Sequence, residues 1–342
     1  MNRPVSHAHA PMSARRAALI WLVLAAAAFT VFAAALALGS VRVSPAQALA
    51  ALVHAGPADA SAEIVRALRL PRALAGFACG GLLALAGALL QVLLRNPLAE
   101  PYVLGVSGGA AAFAVLALMA GSAWWFVDAA SFAGALLSIG LLFGLARREL
   151  GRGESAEASP RLLLTGVVIA TGWGAVITLL LSIAPDDRLR GILFWLTGDL
   201  SGVARPWTAL VALGAAMALA VPVAPQLNVL MRGEPFALAL GVPTGRLRLR
   251  IYLVASLAAA AAVTTAGTIG FVGLVVPHAV RLAWGSDQRM LLPASALAGG
   301  VTVMVSDLVA RTVVAPTQLP VGAITAVIGV PVFLWMLLQR PR

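Results

Sequence analysis

The side chains in this sequence that could do chemistry are few, and the ones that stand out are cations. Arg69-Leu-Pro-Arg72 sets two guanidinium groups at the head of a Leu, Ala and Gly run, and Arg95-Asn96-Pro97-Leu98-Ala99-Glu100-Pro101 closes that run at its far end. A guanidinium is a permanent charge with five donors in a planar fork, suited to holding carboxylates rather than to moving protons. Arg311 follows Asp307 by four positions, so it either pairs along its own helix or meets an outside acid. The 13 acids sit almost entirely between apolar runs, and Asp307 is the clear one within a run. The 4 histidines and the single Cys79 assemble no nucleophile with its base and no metal-ligand spacing. All 24 basic residues are arginine, so the lysine that a Walker A phosphate loop needs is absent. The residues thus offer charge and docking surface; no enzyme active site, ATP site, cofactor or metal is expected.

Membrane spans must position these groups. The chain of 342 residues is 61% hydrophobic and 11% charged, against about 25% charged in soluble domains, and its mean hydropathy is +0.96. The fold class this composition allows is an all-α polytopic membrane protein. Ten apolar runs of near-spanning length fall at 17–39, 73–94, 103–121, 127–146, 161–183, 206–222, 251–268, 271–285, 291–311 and 321–338. Gly267, Gly270 and Gly273 make a shallow break between the seventh and the eighth. Residues 1–16, with His7 and His9, read as a cytosolic tail, and 17–340 as one transmembrane domain. The first run exceeds a signal-peptide core of about 7–15 residues and reads as a retained anchor.

An even number of spans puts both termini on one side. Placing them in the cytoplasm leaves Arg42, Arg66, Arg69, Arg72, Arg188, Arg190, Arg205 and Arg311 outside and every other arginine inside, as the positive-inside rule requires. The net charge of +11 then reports topology, and nucleic acid is not a partner.

Two shorter segments carry structure of their own. Pro185-Asp186-Asp187 opens a helix that Gly198 stops, about ten residues that lie on the outer surface or re-enter it. On the inner side a long loop spans about 224–250. Within it, Glu234 and Pro235 open a helix of under two turns that Gly241 ends, and Pro243 opens a second that runs through Arg246, Arg248 and Arg250 into the next span. A helix this short does not hold alone in water, so the loop is either a knob packed into a partner or a segment lying on the bilayer.

These motifs, with Leu104-Gly-Val-Ser-Gly108, Gly270-Phe-Val-Gly-Leu-Val-Val-Pro-His278, Leu291-Leu-Pro293 and Leu319-Pro-Val-Gly322, give the sequence a resemblance over about 17–340. It resembles the permease subunits of bacterial ABC importers for iron–siderophores, haem and cobalamin, the FecCD-type permeases of type II importers. The resemblance implies a ten-span permease of the bacterial inner membrane, paired with a second copy as a homodimer. Two cytosolic ATP-binding subunits and a periplasmic substrate-binding protein would complete it. It further implies that Arg69, Arg72 and Arg311 dock the binding protein and that Asn96 and Leu98 belong to a cytosolic gate. Arg232, Gly233, Glu234, Leu240 and Gly241 would couple to the ATPase. The segment from Glu149 to Pro160 is longer and more charged than the family pattern, so a second gate element is not placed there. The cargo is cobalamin, haem or a ferric siderophore, with a tetrapyrrole favoured.

Other readings are weaker. An ion-coupled secondary transporter should carry acids within its spans as relays, and a membrane enzyme should carry a converging polar set. Gln91, deep in the second run, bonds either a passing ligand or a neighbouring helix. The pairs Gly76/Gly80, Gly105/Gly109 and Gly140/Gly144 mark close helix packing.

Overall fold

Hydrophobic runs bounded by Pro, Gly and Arg become helices because in lipid a backbone must satisfy its own hydrogen bonds. The computed structural model describes residues 13–39, 41, 43–53, 60–151, 158–203 and 205–338, and among these no strand forms. The helices are α1 (Ala14–Ala37), α2 (Pro45–Val53), α3 (Ala60–Glu63), α4 (Leu70–Leu93), α5 (Val106–Met119), α6 (Trp124–Gly151), α7 (Ala158–Ser182), α8 (Asp186–Leu196), α9 (Trp207–Ala220), α10 (Ala224–Met231), α11 (Glu234–Ala239), α12 (Thr244–Ala266), α13 (Val272–Trp284), α14 (Gln288–Ala310) and α15 (Val321–Leu338). Eight helical stretches are long and apolar enough to cross a bilayer; the third and eighth runs form the shorter α5 and α13. Each of the ten apolar runs thus contains its own helix. The tail to residue 12, with His7 and His9, and Arg42 and Arg152 lie outside the described residues.

α4 is the axis of the bundle. Of its most apolar window 89% is buried, against 11% for α7, because α14, α12, α13 and α9 all pack on it. Small residues permit this closeness. Gly80 of α4 lies backbone to backbone with Gly299 of α14, where a Cβ on either would strike the other's carbonyl. Gly109 of α5 meets Gly134 of α6 in the same way, whereas Gly140 and Gly144 face open space, so the third glycine pair packs on nothing among the described residues.

The inner loop departs from the sequence expectation. The helix of the sixth run resumes as α10 and ends only at Met231. Pro222 and Pro225 do not end it: each sits in the first turn of a new helical segment, where the missing N–H has no bond to lose. The helix opened by Pro243 is likewise no separate piece; it is the first part of α12. The connecting segment therefore shrinks to 232–243.

Candidate functional site

One end of the bundle, the outer one if the termini lie in the cytoplasm, gathers the three sequence-identified arginines. Arg69 donates to the carbonyls of Leu36 (2.7 Å) and Ala37 (2.9 Å), which the end of α1 leaves without an intrahelical partner, and to the Val41 carbonyl beyond it. Arg72 clasps Asp307 through Nε (2.8 and 3.0 Å) and Nη2 (2.8 Å), and its Nη1 donates to Gln318 Oε1 at 2.7 Å. Arg311 donates to the Ala35 carbonyl at 2.6 Å, with its Nε 3.6 Å from Asp307. The pair along α14 therefore exists, but the short bonds to Asp307 belong to Arg72. All three arginines are under 10% exposed, at 5%, 9% and 8%. They face inward and tie α1, α4 and α14 together, with three guanidinium groups against one carboxylate.

The remaining outer arginines divide. Arg66 donates to Ala51 and Arg188 to Met119, the latter capping α5. Arg190 is exposed over the Phe194 ring at 5.8 Å, and Arg205 is exposed. α8 is the short helix the Asp-Asp start predicted. Its end is stitched to two other helices: Asp199 N donates to Ala266 O (2.9 Å), and Val321 N to Gly198 O (3.0 Å).

At the inner end, Asn96 Oδ1 accepts from the Leu98 N–H at 2.9 Å, an Asx turn that places Leu98 at the surface, 40% exposed. This turn is locked to the break before α13. Glu100 Oε1 accepts from Phe271 N (2.8 Å); the Tyr102 hydroxyl accepts from Ile269 N (2.8 Å) and donates to Ile269 O (3.0 Å). A carboxylate at the first N–H of α13 meets the positive end of the helix. Burial pushes the Glu100 carboxyl up, and the Phe271 N–H acts against that by favouring the charged form. Pro277 cannot donate to the Gly273 carbonyl. Gln91 reaches across instead, with Nε2 3.5 Å from that carbonyl and 3.3 Å from that of Leu274. Gln91 is thus an interhelical bond.

The knob follows α10. Gly233 has φ +122° and Gly241 φ +75°, and between them runs α11. Glu234 is buried and paired with Arg248 Nη2 at 3.1 Å, which fixes α11 on α12. Phe236, Leu238 and Leu240 stand out at 45%, 53% and 59% exposure, and Arg232 is exposed beside them. A Cβ at Gly241 would meet nothing within 4 Å, so its backbone angle, and not a close helix contact, is what calls for glycine there. From α10, Asn228 donates to Asp287 Oδ1 (2.8 Å) and accepts from Gln288 N (2.8 Å), joining the knob to the turn between α13 and α14.

Sequence reasoning missed Gln318, Glu100, Tyr102, Asn228 and Asp287 as partners. Glu100 and Tyr102 lay within a quoted motif, so their placement beside a glycine-marked break was the available signal. Asn228 and Asp287 are far apart in sequence and carried none.

A helical bundle of spanning length, sealed by charge at one end and offering an apolar knob at the other, defines a polytopic membrane protein. The model of the FecCD transport family matches residues 24–339, and the chain belongs to that family. The chain is 43% identical over 301 residues to the cobalamin import system permease protein BtuC of Halobacterium salinarum, covering 86% of this chain and 78% of that protein. Similarity to the vitamin B12 import system permease protein BtuC of Vibrio cholerae is 42% over 284 residues, covering 81% and 83%. A solved structure described as an inward-facing metal-chelate type ABC transporter superposes with TM-score 0.82 at 28% identity, over 94% of this chain and all of that one.

Proposed function

We propose that this chain is the membrane permease of an ATP-driven importer for cobalamin, acting as a homodimer in the bacterial inner membrane with both termini cytoplasmic. Two cytosolic ATP-binding subunits and a periplasmic binding protein complete the assembly. The observation that carries this reading is the knob: three exposed apolar side chains on a helix too short to stand alone, anchored by the buried Glu234–Arg248 pair. Such a surface fits a groove on a partner. In this reading Arg232, Gly233, Glu234, Leu240 and Gly241 form the ATPase coupling site, and ATPase closure pushes α10. The Asn228–Asp287 bond passes that push to α13, and Glu100 and Tyr102 carry it to the gate turn of Asn96 and Leu98.

Docking of the binding protein is proposed to use the field of Arg69, Arg72 and Arg311, which exceeds the charge of Asp307, rather than direct bonds from these buried groups. Cobalamin is preferred over haem and siderophore because the two similar permeases are named for cobalamin and vitamin B12 import. The ion-coupled alternative loses support because Asp307, the acid best placed inside a span, is held by Arg72 and Arg311. The test is uptake of labelled cobalamin into proteoliposomes holding this chain, its ATPase and its binding protein, with haem and ferric siderophore as competitors. ATP-dependent uptake competed only by corrinoids supports the proposal; uptake driven by an ion gradient without ATPase overturns it.

A further inference from the structure

A cavity of about 630 Å³ is walled by α6, α8, α9 and α12, away from both the knob and the Asn96–Leu98 turn. Its walls are apolar, with Trp124, Trp125 and Phe132 prominent, and its mouth carries Asp128, Asp199 and Arg205. Arg205 feels the charge of Asp128, yet among the described residues the two do not close into an ion pair. Inside, the Thr264 hydroxyl is buried without a hydrogen-bond partner.

We read the exposed apolar side chains below the cavity as a groove continuing along α6, α12 and α9. On α6, Trp125, Phe132, Leu136 and Phe143 are exposed at spacings that put them on one helix face. Behind them, Leu257 and Leu253 of α12 are exposed on the face that carries Thr264, and Leu219 of α9 on the face that carries Thr208. A polar mouth beside interfacial tryptophans, above an apolar channel the length of a span, has the form of a lipid molecule.

We propose that this groove holds one phospholipid with a primary-amine headgroup, of the phosphatidylethanolamine class. The Arg205 guanidinium takes the phosphate, the Asp128 and Asp199 carboxylates accept from the ammonium, and the Thr264 hydroxyl donates to an ester carbonyl. Two carboxylates against one guanidinium disfavour a purely anionic headgroup, and a quaternary ammonium has no N–H to donate. The proposal requires the spans alone and is independent of cargo and partners.

The experiment is native mass spectrometry of the delipidated full chain, offered phosphatidylethanolamine, phosphatidylglycerol and phosphatidylcholine with matched acyl chains. The expected result is one phosphatidylethanolamine retained several-fold over the other two. Asp128→Asn and Arg205→Gln, both at exposed positions, should each remove most of that preference without lowering the melting temperature. Ala212→Trp, which fills the groove and leaves the charges in place, should eject the lipid. Equal retention of all three lipids, or preference unchanged in these variants, would mean a general belt of lipid and overturn the proposal.

Discussion

At the outer end, Arg69, Arg72 and Arg311 turn their guanidinium groups inward onto Asp307 and the last carbonyls of α1. At the inner end, the Arg248–Glu234 pair is just as buried, yet it turns Phe236, Leu238 and Leu240 outward. The two ends use the same pairing chemistry for opposite ends. One closes helix termini against each other; the other braces a surface left exposed among the described residues. A charged residue beyond a span therefore does not by itself mark a docking contact, and what it bonds decides.

The largest effect should come from opening the outer cluster. Asp307→Ala would leave Arg72 buried without its carboxylate, a change that costs about 3–5 kcal/mol. Folded protein recovered after a heat challenge in detergent should fall sharply, and the double replacement Arg72→Met with Asp307→Leu should restore much of it. If Asp307→Ala were as stable as the parent, the outer arginines would be free for direct contact with a partner, and the contrast between the ends would fail.

Gly241→Glu should act at the other end and in the other way. A side chain at φ +75° costs about 1 kcal/mol, too little to unfold the bundle. Because it places a charge beside Leu240, co-purification with the ATPase and cobalamin uptake should fall while expression and melting temperature hold. Uptake at the parental rate would show the knob to be a plain connector.

A smaller loss is expected for Glu100→Gln, which weakens the cap on α13 by about 0.5–2 kcal/mol. The melting temperature should drop by about 2–4 °C per kcal/mol, and Tyr102→Phe should add to it. An unchanged melting temperature in both would sever the Asn96–Leu98 turn from α13. Smallest of all, Arg190→Ala should change stability by less than about 0.5 kcal/mol, since Arg190 is exposed and bonded only over Phe194. A marked loss there would reveal an outer contact that the buried arginines do not make.

Features set by neighbouring residues were legible before the structure. The apolar runs located every span-bearing helix, because burial in lipid imposes hydrophobicity on each run separately. Pro235 and Gly241 outlined α11, since their backbone limits are local. The continuation of α10 was hidden, because a proline at the start of a helical turn reads the same as one that ends a helix. The inward turn of the arginines was hidden for a different reason: Arg72 and its partner Asp307 are separated by 235 positions, and nothing near Arg72 announces the match. The lipid groove is drawn from four helices and has no sequence signature at all.

That separation also orders the making of the protein. During synthesis Arg72 reaches the bilayer long before Asp307 exists, and an arginine beside a nascent span must meanwhile snorkel to the headgroups with its stem along the apolar surface. The glycine face of α4 waits in the same interval for α14, which later covers it at Gly80 and Gly299. Insertion of α14 delivers the carboxylate and the covering backbone in one event, drawing Arg72 from the headgroup layer into the protein. The clasp is thus a late stitch of biogenesis, with only Gln318 and α15 still to follow, and a chain truncated before α14 should remain open to quality-control proteolysis at the very helix that is most sheltered when assembly is complete.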